Sequence, residues 1–180
     1  MLVSAILVKL SSPGPIIFKQ ERIGLHNKSF YMYKFRSMEL QSSSEEKKAW
    51  TVKNDPRVTN VGKFLRKTSL DELPQLFNIL KGDMSFVGPR PERPEIAAEY
   101  EKDMPEFALR LQVKAGLTGY AQVYGKYNTP PDDKVQMDLM YVANQSLIED
   151  LKLMLMTFKI LFIPSSTEGV SADQTTAQKE

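Results

Sequence analysis

The sequence predicts an α+β domain in which several helices accompany a small sheet built on one hairpin. Two strand-like runs, residues 16–23 and 29–36, stand on either side of a turn at residues 24–28. This arrangement is typical of a β-hairpin. Apolar residues at helical spacing recur through much of the remaining chain. A length of 180 residues is enough for one domain with its own hydrophobic core.

Helices are predicted at five places after the hairpin: residues 60–67, 71–80, 93–102, 130–144 and 147–163. In the second of these, Leu73, Leu76, Phe77 and Leu80 recur at helical spacing, and Gly82 stands just past the end.

The intervening segments have other patterns. We expect a helix stop at 12–15 (Ser-Pro-Gly-Pro), a polar loop at 41–48, a rigid turn at 88–91, a strand at 120–124 and a loosely ordered polar tail at 165–180.

Two apolar segments each allow two interpretations. Residues 1–10 have about half the length that a bilayer span needs, and they show no basic leader or cleavage site. They are either a short core helix or the end of a longer apolar segment. Residues 147–163 are apolar around most of the predicted helix, with Glu149, Lys152 and Lys159 near one stripe. Such a helix lies either in the core or in a membrane interface, and its charges argue against spanning.

The composition excludes several kinds of catalytic site. The chain contains no cysteine, and its only histidine is His26. Disulfides, thiolate nucleophiles and cysteine zinc sites are therefore excluded, as are a Ser-His-Asp triad and a metal cluster built on histidines. Any catalysis must rest on carboxylates, Lys and Arg or hydroxyl groups, with or without a metal ion.

Charge is unevenly distributed along the chain, although the net charge is only +2. Residues 19–67 carry 12 Lys and Arg against 5 Asp and Glu, whereas residues 68–180 carry 11 against 17. The basic first part suits a polyanionic ligand or an anionic membrane, and an ordinary mixed surface explains it equally well. Since there is no continuous basic stripe, the pattern argues against nucleic-acid binding.

Asp71 and Glu72 are adjacent carboxylates at the predicted start of the second helix. Ser69 and Glu72 fit a capping box, but that register places Pro74 at the fifth helical position, where it would break a hydrogen bond. With Asp71 as the N-cap, Pro74 occupies the third position, whose N–H is unpaired in any case. We therefore predict that Asp71 is the N-cap. Capping alone would be a sufficient reason for an aspartate here.

A chemical role is the alternative for the same pair. A helix N-terminus attracts phosphate, Mg²⁺ can bridge a carboxylate and a pyrophosphate, and a carboxylate can attack phosphorus directly. Glu72 would then be a metal ligand beside a nucleophilic Asp71. Arg66 and Arg90 flank the pair in sequence, and forked guanidinium groups suit phosphate. Two carboxylates near two arginines can also be only a salt-bridge cluster.

Taken in order, the motifs of this chain resemble those of the bacterial sugar transferases, the monotopic polyprenyl-phosphate phosphoglycosyl transferases. The matching blocks are KLSSPGP at 9–15, QERIG at 20–24, YKFRSM at 33–38, Arg66, SLDELPQ at 69–75, residues 78–91, GLTGYAQV at 116–123, Asp138 with Tyr141, and DLK at 150–152. The resemblance extends to about Val170 and therefore covers nearly the whole chain.

The resemblance implies roles for individual residues. Asp71 would be the nucleophile that forms a covalent phosphosugar intermediate, and Glu72 would complete the dyad and help Asp71 hold Mg²⁺, with Mn²⁺ as an allowed substitute. The substrate-binding positions that it implies are Arg66 and Arg90 for lipid phosphate or pyrophosphate, Lys34 and Arg36 for the nucleotide sugar, and Gln122. A solvated strand face remains the alternative for Lys34 and Arg36.

The resemblance also implies an activity and a location. The activity is transfer of a sugar-1-phosphate from a UDP-sugar to polyprenyl phosphate with release of UMP, at the cytoplasmic face of the bacterial inner membrane. Residues 1–164 would form the catalytic domain, and 1–10 would be the returning half of a re-entrant membrane helix whose first half is missing. Both apolar segments would then face the membrane, and a homodimer is compatible with the family. The alternative is a non-catalytic membrane-surface module that binds nucleotide sugars or polyphosphates.

The chain departs from the family pattern mainly in one block. Ala115 stands where proline is frequent, Tyr120 where tryptophan is common, and Tyr124 and Lys126 replace the ends of an Asn-Gly-Arg triplet. Lysine in place of arginine removes a bidentate donor. These changes leave the identity of the sugar open and do not affect the predicted reaction class.

Overall fold

The computed structural model describes residues 1–40, 55–125 and 129–160. Its helices are α1 (Leu2–Ser11), α2 (Asn60–Lys67), α3 (Gln75–Lys81), α4 (Pro94–Asp103), α5 (Tyr120–Tyr124), α6 (Pro131–Ala143) and α7 (Leu147–Ile160). The strands are β1 (Ile17–Ile23), β2 (Ser29–Phe35), β3 (Met84–Val87) and β4 (Ala115–Thr118), and 3₁₀ turns occupy Leu25–Asn27, Leu70–Glu72 and Pro105–Gln112.

The predicted hairpin is confirmed. β1 and β2 pair antiparallel, with Ile17 opposite Phe35 and Ile23 opposite Ser29. The chain reverses through His26 and Asn27, whose φ angles of 54° and 60° lie in the left-handed region. Asparagine tolerates that region better than most residues, so the loop stays short and keeps the two strands in register.

A second sheet was not predicted. β3 and β4 are parallel, with Met84 opposite Ala115 and Val87 opposite Thr118. Each strand is only four residues long, which is too short to give a clear alternating pattern. Gly116 permits the close approach after β3, since a Cβ on it would lie 2.1 Å from the Gly88 nitrogen. The α+β class is confirmed, with two small sheets in place of one.

Most predicted helices are found at the predicted places. α2 has the predicted bounds, and the Thr59 hydroxyl caps it by accepting from the Gly62 N–H at 2.9 Å. α4 and α6 agree with their predictions within one residue at each end. The structure describes α7 as far as Ile160. The expected loop at 41–48, the tail at 165–180 and the end of the 147–163 helix lie outside the described residues.

The predicted helix at 71–80 is wrong at its beginning. The chain forms a 3₁₀ turn over Leu70–Glu72, and α3 begins only at Gln75. Asp71 is therefore not an N-cap, and neither it nor Ser69 makes a side-chain capping hydrogen bond. Pro74 takes the cap position instead, since its missing N–H would otherwise interrupt the helix. The predicted end is correct, with Gly82 at φ 85°.

The predicted strand at 120–124 is also wrong. These residues form the short helix α5, and the strand lies just upstream as β4. Ring contacts explain the helical turn, because Tyr120 packs against Tyr124 at 4.9 Å and against Tyr141 of α6 at 6.4 Å between centroids. An alternating pattern over five residues could not distinguish this packing from a strand.

Helix α1 packs on the domain along one narrow line. Val8 is buried with Phe35 of β2 and Leu65 of α2. Ser4 is also buried, whereas the apolar side chains of Leu2, Val3, Ile6, Leu7 and Leu10 are exposed. Among the described residues, no helix combines the length and hydropathy that crossing a bilayer requires.

Candidate active site

The adjacent carboxylates Asp71 and Glu72 have different surroundings. Asp71 is 8% exposed, and within the described residues its carboxylate makes no ion pair and no side-chain hydrogen bond. Glu72 is held by two cations through one oxygen. Its Oε1 accepts from Lys34 Nζ at 2.7 Å and from Arg90 Nη2 at 2.8 Å. The 3₁₀ turn that carries both residues thus presents one paired and one unpaired carboxylate.

These surroundings shift the pKa values of the two carboxyl groups in opposite directions. Burial raises the pKa of Asp71, and the charges of Lys34 and Arg66 offset that effect only in part. Burial would also raise the pKa of Glu72, but the charges of Arg90 and Lys34 together hold that pKa far below its usual range. Glu72 therefore stays ionised. The ionised form of Asp71, by contrast, is only weakly stabilised by its surroundings until a ligand binds.

Lys34 reaches the dyad from strand β2. Burial lowers the pKa of this lysine, and the nearby Glu72 carboxylate opposes the effect. The strand is tied to α3 by Asn78, which is fully buried. Its Oδ1 accepts from the Tyr33 N–H at 3.0 Å, and its Nδ2 donates to the Tyr31 carbonyl at 2.8 Å. One buried amide therefore fixes the strand of Lys34 against the helix that follows the dyad.

Arg66 lies on the last turn of α2. Its Nε donates to the Ser37 hydroxyl at 2.9 Å, and its charge lowers the pKa of Asp71. It makes no hydrogen bond with either carboxylate of the dyad among the described residues. The structure thus brings Arg66 near Asp71 without using its charge in a direct pair.

Arg36 does not join the dyad. It is 4% exposed, and its guanidinium donates to the carbonyls of Ser12, at 2.7 Å, and Pro13. These carbonyls belong to the turn that leaves α1. The structure therefore uses Arg36 to hold that turn, and its predicted contact with a nucleotide sugar would require both hydrogen bonds to open.

Gln122 lies on α5, beside the segment that leads to Arg90. Its Oε1 would be 2.9 Å from a Cβ built on Gly119, and that same Cβ would be 2.2 Å from the Gly88 carbonyl oxygen. Both polar atoms of the Gln122 amide are buried and lack a hydrogen-bond partner among the described residues. A buried unpaired amide calls for an explanation, and contact with a substrate is one.

Comparison with known proteins identifies the family. The family model described as bacterial sugar transferase matches residues 1–164. This chain belongs to that family. Over 164 residues it is 43% identical to an N-acetylgalactosaminephosphotransferase from Aeromonas hydrophila that is named for UDP-N-acetylgalactosamine and undecaprenyl phosphate.

Two further relatives have similar identity. Over 162 residues the chain is 44% identical to the UDP-glucose:undecaprenyl-phosphate glucose-1-phosphate transferase of Xanthomonas campestris pv. campestris, and 43% identical to the exopolysaccharide production protein PSS of Rhizobium leguminosarum bv. phaseoli. The matches cover 89%, 87% and 85% of this chain in the order given. They cover 38% and 34% of the first two relatives and 80% of the third. The chain thus spans about a third of the length of the first two.

The sequence patterns assigned no individual role to two buried polar residues, Gln75 and Arg110, that the structure places in this part of the fold. Gln75, four residues after Asp71, is 1% exposed and has an unpaired buried Nε2. Arg110 is buried in an ion pair with Asp138 and contacts the Arg90 backbone. No local motif marks Arg110 as a residue of interest, since its neighbours in sequence are ordinary apolar residues.

The donor set at the dyad suits a magnesium ion. Within the described ranges there is no group of three or more acidic or histidine side chains that could hold a metal alone. Mg²⁺ commonly uses one or two carboxylates together with water and substrate phosphates, so Asp71 and Glu72 could hold such an ion if a substrate phosphate completed the site. The two cations both contact Oε1 of Glu72, which leaves its second oxygen for this purpose.

Proposed function

We propose that this chain is the catalytic domain of an enzyme that transfers a sugar-1-phosphate from a UDP-sugar to undecaprenyl phosphate and releases UMP. The names of its relatives supply the substrate classes. The observation that carries the proposal is the unequal dyad, in which Asp71 is buried and unpaired while Glu72 is paired with Lys34 and Arg90. A carboxylate held without a partner is available to attack phosphorus.

The first step is attack by a carboxylate oxygen of Asp71 on the phosphorus that carries the sugar. A bond forms between this oxygen and phosphorus, while the bond from phosphorus to the bridging oxygen breaks. The electron pair remains on that oxygen, and UMP departs. The sugar phosphate is then attached to Asp71 as an acyl phosphate, and no oxidant or further reactant is needed.

The second step returns the enzyme to its starting state. An oxygen of the lipid phosphate attacks the same phosphorus, and the bond from phosphorus to Asp71 breaks. The carboxylate leaves with its electron pair, and the product is a lipid pyrophosphate that carries the sugar. Since each step displaces one oxygen from phosphorus, Asp71 acts as nucleophile first and as leaving group second.

The cations around the dyad have a different task. Arg66 and Arg90 would bind the phosphate groups and stabilise the charge that develops on the transferring phosphoryl group. Lys34 would keep Glu72 oriented, and Gln122 would meet the nucleotide sugar beside Gly88. Mg²⁺, held by Asp71 and Glu72, would supply neutralisation of the pyrophosphate charge.

The exposed apolar side chains of two helices support a membrane location for this domain. The exposed apolar side chains of α7 include Leu147, Ile148, Leu151 and Leu155, and those of α1 were given above. A water-facing surface seldom carries this much apolar area without a partner. We assign both helices to the interface of the bacterial inner membrane, on its cytoplasmic side, where a soluble UDP-sugar and a lipid phosphate can meet.

A product assay tests the proposal. The full chain is incubated with Mg²⁺, undecaprenyl phosphate in detergent or vesicles, and one of a panel of radiolabelled UDP-sugars. We expect at least one sugar to give labelled lipid together with an equal amount of UMP. Binding of a UDP-sugar by the folded chain without any turnover across the panel would contradict the proposal and favour a binding module instead.

A further inference from the structure

The segment that carries Arg90 is fixed by its carbonyl groups. Four consecutive carbonyls, those of residues 89–92, each accept a hydrogen bond from one of three elements: β4, the 3₁₀ turn at 105–112, or β1. The donors, in order along the segment, are the Gly116 N–H at 3.0 Å, Arg110 Nη2 at 2.9 Å, Arg22 Nη1 at 3.1 Å and the Ile23 N–H at 2.9 Å. Two of these donors are backbone groups and two are arginine side chains.

The two prolines explain why this segment is held mainly through its carbonyl groups. Pro89 and Pro91 have no N–H, so the segment cannot pair with a neighbouring strand through alternate donors and acceptors. The rings fix φ at both residues, which leaves the carbonyls of the segment as its main points of attachment. Arg90, placed between them, extends a side chain that is 45% exposed and reaches Glu72 Oε1 at 2.8 Å.

Arg110 contacts the Arg90 carbonyl from a buried position in the core. It is 6% exposed, it pairs with Asp138, which is 1% exposed, and it lies 4.8 Å from the centre of the Phe107 ring. A buried ion pair is often no more stabilising than apolar residues of the same size. The Arg110 guanidinium, however, also donates to the Arg90 carbonyl, which an apolar residue could not do.

Arg22 approaches the same segment from strand β1. Its guanidinium donates to the Pro91 carbonyl and to the Gln20 side chain, and it lies 3.7 Å from a Glu92 carboxylate oxygen. Burial lowers the pKa of Arg22 to about 10, against the raising effect of Glu92. The side chain thus keeps its charge while it is largely withdrawn from water.

We infer that Arg22 and Arg110 are positioning residues for the transfer reaction, and that they act through the two backbone carbonyls that directly follow the Arg90 side chain. This inference rests on the proposed function. By holding the Arg90 and Pro91 carbonyls, they fix the point from which the Arg90 guanidinium reaches Glu72 and the transferring phosphoryl group. Misplacement of a catalytic group by about 1 Å can cost on the order of a hundredfold in rate.

Steady-state kinetics on Arg110→Met and Arg22→Met test the inference. We expect each to lower kcat by roughly ten- to a hundredfold, with little change in KM for the UDP-sugar. Each is then combined with Arg90→Ala. Without the Arg90 side chain there is nothing left to position, so the second substitution should cost less than about threefold. The same loss in both backgrounds would overturn the inference.

Arg66→Ala supplies the matched control, because Arg66 lies on α2 and makes no contact with this segment. Its effect on kcat should multiply with that of Arg110→Met, as for independent sites. Arg110→Met leaves Asp138 buried without its partner and can destabilise the fold. Arg22→Met has no such consequence, and Arg110→Lys keeps a charge for Asp138. A folded Arg22→Met variant with the wild-type kcat would contradict the inference.

Hydrogen exchange separates this inference from the proposed function. The amides of Gly116 and Ile23 donate to the carbonyls at the two ends of the segment, so both should exchange faster in Arg110→Met and Arg22→Met if the segment loosens. Unchanged exchange at these two amides would overturn the inference even if the enzyme is active. Faster exchange in a chain that shows no transferase activity would instead indicate failure of the proposed function alone.

Discussion

Asp71 and Glu72 are adjacent in the chain, but only the Glu72 carboxylate is paired with cations. Lys34 and Arg90 both donate to its Oε1, and Asp71 has no such partner among the described residues. The pKa of Glu72 is therefore lowered and that of Asp71 is raised. This difference supports a division of labour in which Glu72 is a fixed anion and Asp71 is the reactive group.

Asp71→Asn should abolish transfer and leave the fold intact. An amide cannot attack phosphorus as a carboxylate does, so we expect less than about 1% of the wild-type rate in the product assay. Asp103→Asn, a change of the same kind at an exposed residue, is the matched control and should keep full activity. Substantial turnover by folded Asp71→Asn would exclude a nucleophilic role for Asp71.

The same variant makes a prediction about stability. Because the pKa of Asp71 is raised in the folded state, the unfolded chain loses this proton more readily. Ionised Asp71 therefore lowers the free energy of unfolding as the pH rises through its range. Asparagine has no charge to bury, so the melting temperature of Asp71→Asn relative to wild type should increase from pH 4 to pH 7.5. A constant difference between the two proteins would show that the Asp71 pKa is not raised.

Acid should inactivate the first step at a higher pH than an ordinary aspartate would allow. Asp71 must be ionised to attack, and burial raises its pKa above the usual 3.8, whereas Glu72 stays ionised. Single-turnover labelling without lipid is the suitable measurement, because a lipid phosphate itself titrates near pH 6, as other phosphate monoesters do. A labelling rate that stays flat down to pH 4 would be inconsistent with the environment described for Asp71.

We expect the reaction to require Mg²⁺ or Mn²⁺ and Glu72→Gln to lose most activity. Oxygen ligands suit these ions, and the chain has no cysteine and one histidine for softer metals. The glutamine variant also loses the charge that Lys34 and Arg90 pair with. Glu95→Gln on the exposed side of α4 is the control. Full turnover after exhaustive chelation would remove the metal from the mechanism.

Local sequence patterns were sufficient to predict the elements whose hydrogen bonds join residues close together in the chain. The hairpin was predictable because its two strand-like runs and the turn between them lie within one short stretch, and the helix at 60–67 was found with its predicted bounds. The resemblance to the family likewise rested on short motifs, such as SLDELPQ at 69–75, that stand in the sequence as written.

Contacts between distant residues were not predictable in this way. The 3₁₀ turn at Asp71 forms because Pro74 becomes the residue before α3. From the sequence alone, the helix could begin with either Ser69 or Asp71 as its N-cap. Lys34 and Arg36 stand two residues apart on the predicted strand at 29–36, and both were expected to contact the nucleotide sugar. In the structure Lys34 pairs with Glu72, and Arg36, one residue past β2, holds the turn after α1. The pairing of Arg110 with a carbonyl twenty residues away has no local signal.

Membrane binding should depend on the exposed face of α7. Leu151 and Leu155 lie on that face, and burying them in an interface favours association by about 25 cal/mol per Å² of apolar surface. The double variant Leu151→Glu/Leu155→Glu should sediment poorly with anionic phospholipid vesicles, whereas wild type co-sediments. Leu109→Glu, at an exposed leucine outside α1 and α7, is the control. Equal sedimentation of wild type and the double variant would indicate that α7 faces elsewhere.

Trapping of the covalent intermediate tests the central claim most directly. Wild-type enzyme is mixed with Mg²⁺ and a UDP-sugar that carries label in the sugar, no lipid is added, and the protein is denatured at once and digested for mass spectrometry. The account predicts release of UMP and one sugar phosphate on the peptide that contains Asp71, with no label in Asp71→Asn. Unlabelled protein, together with UMP release only after lipid is added, would show direct transfer between the two substrates and would contradict a nucleophilic Asp71.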